Sequence, residues 1–213
     1  MLVRDIMQSR LVTISPKTTL PQAMRLAAER RIRHLPVVDD GELIGIVSDR
    51  DLKQAMASPA TSLEAHELNY LLNRLTVTEI MTQAVITIGP MFPVEEAARL
   101  MVQEKISALP VTENGRLIGI VTETDVLELF VRAMGAGTPS TRLDVLLADD
   151  RPAALPAIVN AIEGAGVHVT SVVTLQNRAG VREAVVRIAT INPAPAIAAL
   201  EAAGYAVSES GRG

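Results

Sequence analysis

The chain has no cysteine and no tryptophan, and only two phenylalanines and two tyrosines in 213 residues. Missing thiols exclude disulfides, Cys-ligated zinc and iron–sulfur centres, a pattern that suits the cytosol. So few aromatic rings argue against stacking on nucleic-acid bases. Cations do not dominate either: 20 Lys and Arg stand against 24 Asp and Glu, a formal charge of −4. That balance argues against a phosphate-backbone binder. No stretch approaches the ~18 consecutive apolar residues of a membrane span. The opening MLVRDIMQSR lacks the apolar centre of a signal peptide. The expectation is a cytoplasmic protein that engages neither nucleic acid nor membrane. Apolar residues still make up 48% of the chain, nearly all aliphatic, and the length allows one or two domains.

Motifs of catalysis are missing too. His34, His66 and His168 are far apart in sequence and none begins HExxH. There is no GxxxxGK[ST] phosphate loop and no GxSxG elbow. The GAG triplets at Gly135–Gly137 and Gly164–Gly166 suit helix C-caps. No catalytic residue, metal site or resident cofactor is expected.

What the chain has is a repeat. LIGIVSDRDL (Leu43–Leu52) returns as LIGIVTETDV (Leu117–Val126), 74 positions later, and the same offset aligns RDIM (Arg4–Met7) with TEIM (Thr78–Met81) and VTISP (Val12–Pro16) with ITIGP (Ile86–Pro90). Leu20, Ala23, Met24 and Ala27 recur at helical spacing, as do Val94, Ala97, Ala98 and Met101. Two apolar runs then flank a turn, Asp39-Asp40-Gly41 or Glu113-Asn114-Gly115, which reads as a hairpin. With the short β-like LVTI in front and a helix from Asp49 or Glu123 behind, each copy is β-α-β-β-α. One copy of ~60 residues buries only a marginal core, so the two are expected to pack together. Between them, Ser58–Leu75 reads as a Pro-broken turn and a connecting helix.

After GAGTPSTR (Gly135–Arg142) the pattern changes to strand, helix, two strands, helix and strand. That is the ferredoxin-like β-α-β-β-α-β order, with Asn177 and Gly180 in the hairpin turn.

The decamer has two chemical readings. Ser48 or Thr122, followed three residues later by Asp51 or Asp125, is a capping box that satisfies the helix N-terminus internally. The same N-terminus, with partial positive charge and unpaired N–H groups, also suits a phosphate, and its carboxylate can accept from a ribose diol.

The doubled RDIM, VTISP, apolar-Pro strand and GIV[S/T]xxD pattern resembles tandem cystathionine-β-synthase-type (CBS) domains over residues 1–134. The resemblance implies a pseudo-symmetric pair whose two clefts bind adenosine nucleotides (AMP, ADP or ATP). It implies that Asp51 and Asp125 take ribose hydroxyls beside Ser48 and Thr122. Ser48 and Asp51 would face Thr87, Ile106, Ser107 and Ala108, while Thr122 and Asp125 would face Thr13, Ile32, Arg33 and His34. Ile106 and Ile32 would touch adenine, with Pro110 and Pro36 shaping the adjoining strands. Arg33, His34 and Arg50 become Ser107, Ala108 and Thr124 in the second copy. The expectation is therefore phosphate contact by those three, and a preference of the Asp125 cleft for the ligand with more phosphate. Solvation on the first helical turn is the plainer reading of Arg50.

Asp149–Val172 resembles an ACT domain, a ferredoxin-like module that senses amino acids and pairs through its sheet. Ala153 stands where many amino-acid-binding members have Gly, so dimerisation or partner contact is the expected role. The order CBS–CBS–ACT, with HELNYLL (His66–Leu72), resembles the acetoin-utilisation family of bacterial regulatory proteins. The expected fold is α+β, with copies at 1–57 and 77–134, a connection at 58–76, a linker at 135–142 and the ACT domain at 143–213. The expected function is nucleotide sensing by a homodimer, paired through the CBS pair and the ACT sheet, that signals to an unidentified regulated protein. The alternatives are a ligand-free oligomerisation or docking scaffold and, third, an enzyme whose site is assembled between modules.

Overall fold

The computed structural model describes residues 1–57, 74–137, 139–147, 154–176 and 180–209. Most of the expected connecting helix, including HELNYLL, lies outside them, as do Ala153 and Asn177. Two compact units divide at Val126 and Leu127. Among the described residues no helix is long and apolar enough to cross a membrane.

In the first unit the repeat is visible in the backbone. Helix α1 (Leu20–Arg30), strands β1 (His34–Asp39) and β2 (Glu42–Ser48) and helix α2 (Asp49–Ala57) are followed by their counterparts. These are α3 (Val94–Glu104), β3 (Ala108–Glu113), β4 (Arg116–Thr122) and α4 (Glu123–Ala133), of which only the first turn belongs to this unit. Each hairpin turns through two residues of positive φ, Asp40 (46°) and Gly41 (87°), or Asn114 (51°) and Gly115 (79°). That is the left-handed pair a two-residue hairpin loop needs to match strand twist, which Asp-Gly and Asn-Gly adopt most readily. The hairpins join through Glu42 and Arg116 into one sheet of order β1-β2-β4-β3.

The expected first strand of each copy does not form. LVTI contributes one parallel bridge, Ile14 to Val37, and its counterpart one, Ile88 to Val111. Ile14 exchanges two hydrogen bonds with β1 (N–H to Pro36 O, 3.0 Å; O from Val38 N–H, 2.9 Å). Pro16 and Pro36 have no N–H, so the ladder cannot be extended on either side.

The two copies exchange their leading segments. A 3-10 turn at Val3–Asp5 docks on the second copy, with Val3 N–H donating to Phe92 O at 2.9 Å. The matching turn at Val77–Glu79 docks on the first, with Val77 N–H donating to Thr18 O at 2.9 Å. Val77 is fully buried in the core of the first copy with Leu20, Leu35, Val37, Val47 and Leu52. Beyond these turns, Met7 and Met81 lie on the glycines of the other copy's LIGIV strand. A Cβ added to Gly119 would sit 2.6 Å from Met7 Sδ, and one added to Gly45 would collide with Met81 Sδ. RDIM and LIGIV are therefore two halves of one contact.

The second unit contains β5 (Thr141–Leu147), α5 (Ala154–Gly164), β6 (Val169–Gln176), β7 (Arg182–Ile188), α6 (Ala194–Ala202) and β8 (Val207–Glu209). The sheet is antiparallel with order β6-β7-β5-β8. Leu143 and Val145 on β5 and Ala184, Val186 and Ile188 on β7 alternate onto one face. They pack there against Ile158, Ile162, Ala196 and Leu200 of the helices.

Candidate functional site

The site starts where β2 ends. Ser48 donates its backbone N–H (2.8 Å) and hydroxyl (2.7 Å) to Asp51 Oδ2, and the Asp51 N–H reaches Ser48 Oγ at 3.4 Å. Thr122 and Asp125 repeat this at 2.7, 2.7 and 3.4 Å. The capping box is thus present in both copies, and it occupies one oxygen of each carboxylate.

The second oxygens differ. Asp125 Oδ1 accepts from Gln8 Nε2 at 2.9 Å, and Asp125 is only 8% exposed. Asp51 is half-buried, and among the described residues its Oδ1 accepts no hydrogen bond.

Each helix start is also tied to the segment entering the preceding hairpin. Asp49 N–H donates to Arg33 O at 2.9 Å, and Glu123 N–H to Ser107 O at 3.1 Å. Side chains from these segments cross between copies: His34 Nε2 is hydrogen-bonded to Ser107 Oγ at 2.8 Å, and Arg33 Nη2 donates to Thr124 Oγ1 at 3.1 Å.

A cleft of about 460 Å³ opens beside Asp51, within the size range of small-molecule sites. Ile46, Val85, Ile86 and Ile106 form its apolar part, while Arg33, Arg50 and Lys105 bring positive charge against Asp49, Asp51 and Glu123. Among the described residues no cluster of His, Asp and Glu suits a metal.

Burial, and secondarily the Arg33 guanidinium, holds the His34 pKa below its ordinary value of 6.5 against the opposing pull of Asp49, Glu123 and Asp51. A lowered folded pKa means that the unfolded chain binds the proton more readily. The contribution of His34 to stability is therefore complete above pH 6.5 and declines as pH falls through 6.5 toward the folded value. Melting temperatures from pH 7.5 to 5 should fall more steeply for the native protein than for His34→Gln. Parallel profiles would refute this.

CBS domain is the family that matches this chain, at residues 3–58 and again at 77–132. The chain belongs to the CBS-domain family. A CBS domain-containing protein of Dictyostelium discoideum is 39% identical over 142 residues, 66% of this chain and 98% of its own. The solved structure of CBSX2 in complex with AMP is 32% identical, with a TM-score of 0.52, over 62% of this chain and 96% of that one. A Vibrio cholerae structure described as an acetoin utilization protein (AcuB) is 31% identical, with a TM-score of 0.54, over 63% of this chain and 93% of that one. These similarities span about the length of the CBS pair.

Of the residues singled out from the sequence, Ser48, Arg50, Asp51, Ile106, Ser107 and Ala108 line the cleft together. Arg33 and His34, assigned to the opposite mouth, line this one as well, because their backbone is tied to the start of α2. Thr13, Ile32, Pro36, Thr87, Pro110, Thr122 and Asp125 are not among its lining residues. Pro36 and Pro110 are instead buried in their hairpins, opposite Ile46 and Ile120. Sequence reasoning missed Ile46, Thr82, Ala84, Val85, Ile86 and Lys105, which also line the cleft. For Ile46 a signal existed, since it lies two residues before Ser48 and so shares its strand face. Thr82 had none, because only the exchange of leading segments brings it there.

Proposed function

We propose that this protein is a regulatory sensor that holds an adenosine nucleotide in the Asp51 cleft. The observation that carries the reading is the half-used carboxylate. Asp51 Oδ2 is bonded to Ser48, whereas Oδ1 remains available at a helix N-terminus inside a cleft that sets apolar side chains beside charged ones. Ribose hydroxyls would donate to Asp51 and adenine would lie among Ile46, Ile106 and Val85. Phosphate would meet Arg33, Arg50 and Lys105, with guanidinium groups suited to bidentate contact. The AMP complex of CBSX2 supports the choice of ligand class, and AMP, ADP and ATP are the candidates. Regulation would follow by linkage: a ligand that binds one arrangement of the pair more tightly shifts the population a partner meets. We assign the second unit to the ACT class, with copies at 1–57 and 77–134 and the ACT domain at 143–213. We also assign the assembled state to a cytoplasmic homodimer paired through the CBS pair and the ACT sheet. We also assign it a role in acetoin or central carbon metabolism, and the similarity to the Vibrio cholerae protein supports the acetoin part of that reading.

AMP titrated into purified protein should release or absorb heat and raise the melting temperature. At 100-fold excess over Kd the added stability is about 2.7 kcal/mol. With no Trp and two Tyr, retained nucleotide would dominate the ultraviolet spectrum near 260 nm. No heat and no thermal shift with AMP, ADP or ATP would leave a ligand-free docking scaffold as the better reading. Turnover of the nucleotide would point instead to an enzyme.

A further inference from the structure

We infer that Gln8 is a built-in latch that withholds the second mouth of the pair from ligand, so that the protein binds one nucleotide and not two. The inference rests on the nucleotide reading of the Asp51 cleft.

The two mouths are alike in backbone and differ in side-chain length. Gln8 and Ile120 exchange N–H to O bonds of 2.9 and 3.1 Å, and Thr82 and Ile46 exchange two of 3.0 Å. Gln8 and Thr82, 74 positions apart, therefore enter their sites in the same register from the exchanged leading segments. Thr82 lines the open cleft and, among the described residues, makes no hydrogen bond to Asp51. A Gln amide nitrogen lies two bonds farther from the backbone than a Thr hydroxyl, and that added reach delivers Gln8 Nε2 to Asp125 Oδ1 at 2.9 Å.

With Oδ2 held by Thr122 and Oδ1 by Gln8, Asp125 has its helix-cap and amide bonds in place and little exposure. A ribose would have to displace the amide bond, which is charge-assisted and partly buried. Next to Asp125, on the first turn of α4, Thr124 Oγ1 also accepts from Arg33 Nη2 at 3.1 Å.

Calorimetric titration of the full chain with AMP, in the native protein and in Gln8→Thr and Thr82→Gln, tests the latch. The native protein should take one equivalent. Gln8→Thr should take two, the second abolished by adding Asp125→Ala. Thr82→Gln, which transplants the latch, should weaken AMP at least tenfold. Two equivalents in the native protein, one equivalent in the native protein and in Gln8→Thr alike, or unchanged affinity in Thr82→Gln would each overturn the inference. If the native protein takes none while Gln8→Thr takes one, the nucleotide reading of the Asp51 cleft fails and the latch stands. If neither binds, both fail.

Discussion

Asp51→Ala is expected to weaken AMP binding about 100-fold. Two ribose hydroxyls donating to a carboxylate are charge-assisted bonds worth roughly 1.5–3 kcal/mol each, and 1.4 kcal/mol is a factor of ten. The smaller end of that range already gives the loss. The same substitution removes a capping box and should cost about 0.5–2 kcal/mol of stability, so binding must be measured well below the melting transition. Asp125→Ala is the matched control. It removes an equivalent cap and also strands the Gln8 amide, so it should destabilise at least as much. Yet it should leave AMP affinity within about threefold, because Asp125 does not line the open cleft. Equal loss of affinity in both variants would show that the effect comes from cap removal rather than ribose contact.

Gly45→Ala is expected to cost about 1–3 kcal/mol, the usual penalty for overfilling a packed contact, and to weaken AMP as well. The new methyl group would collide with Met81 Sδ and stand 3.2 Å from the Thr82 carbonyl. Met81 can swing its terminal atoms aside, but the Thr82 oxygen belongs to backbone held at 3.0 Å by Ile46. Relief of the clash must move a wall of the cleft. Gly119→Ala is gentler: Met7 Sδ is at 2.6 Å, but the nearest backbone atom, Gln8 O, is at 3.4 Å, an ordinary contact. It should destabilise less and leave AMP binding at the Asp51 cleft unchanged. Urea denaturation gives the stabilities and calorimetry the affinities. If Gly45→Ala is as stable as the native protein, Met81 and Thr82 do not form the tight contact described.

The difference between those glycines marks how far linear reasoning reached. Both LIGIV blocks and both leading IM dipeptides were visible, but nothing local says that each block meets the dipeptide of the other copy. That contact depends on chain closure over more than 70 residues. The strand expected from LVTI failed for a local reason, since prolines at positions 16 and 36 remove the N–H groups a ladder needs. The second unit was legible because its strands alternate onto one face and its helices carry matching apolar residues.

By itself, the sequence determined the elements that answer to short-range rules. These are the duplication at an offset of 74, the Asp-Gly and Asn-Gly hairpins, the capping boxes at Ser48–Asp51 and Thr122–Asp125, and the strand and helix order of the second unit. Apart from the duplication, which is read by aligning the chain with itself, each depends on residues close in sequence, where backbone sterics and side-chain reach dominate. Only the tertiary structure decided which carboxylate remains available. Docking each leading segment on the opposite copy brings Gln8 to Asp125 and the shorter Thr82 to the cleft beside Asp51, so a difference of two bonds in side-chain length breaks the symmetry of the pair.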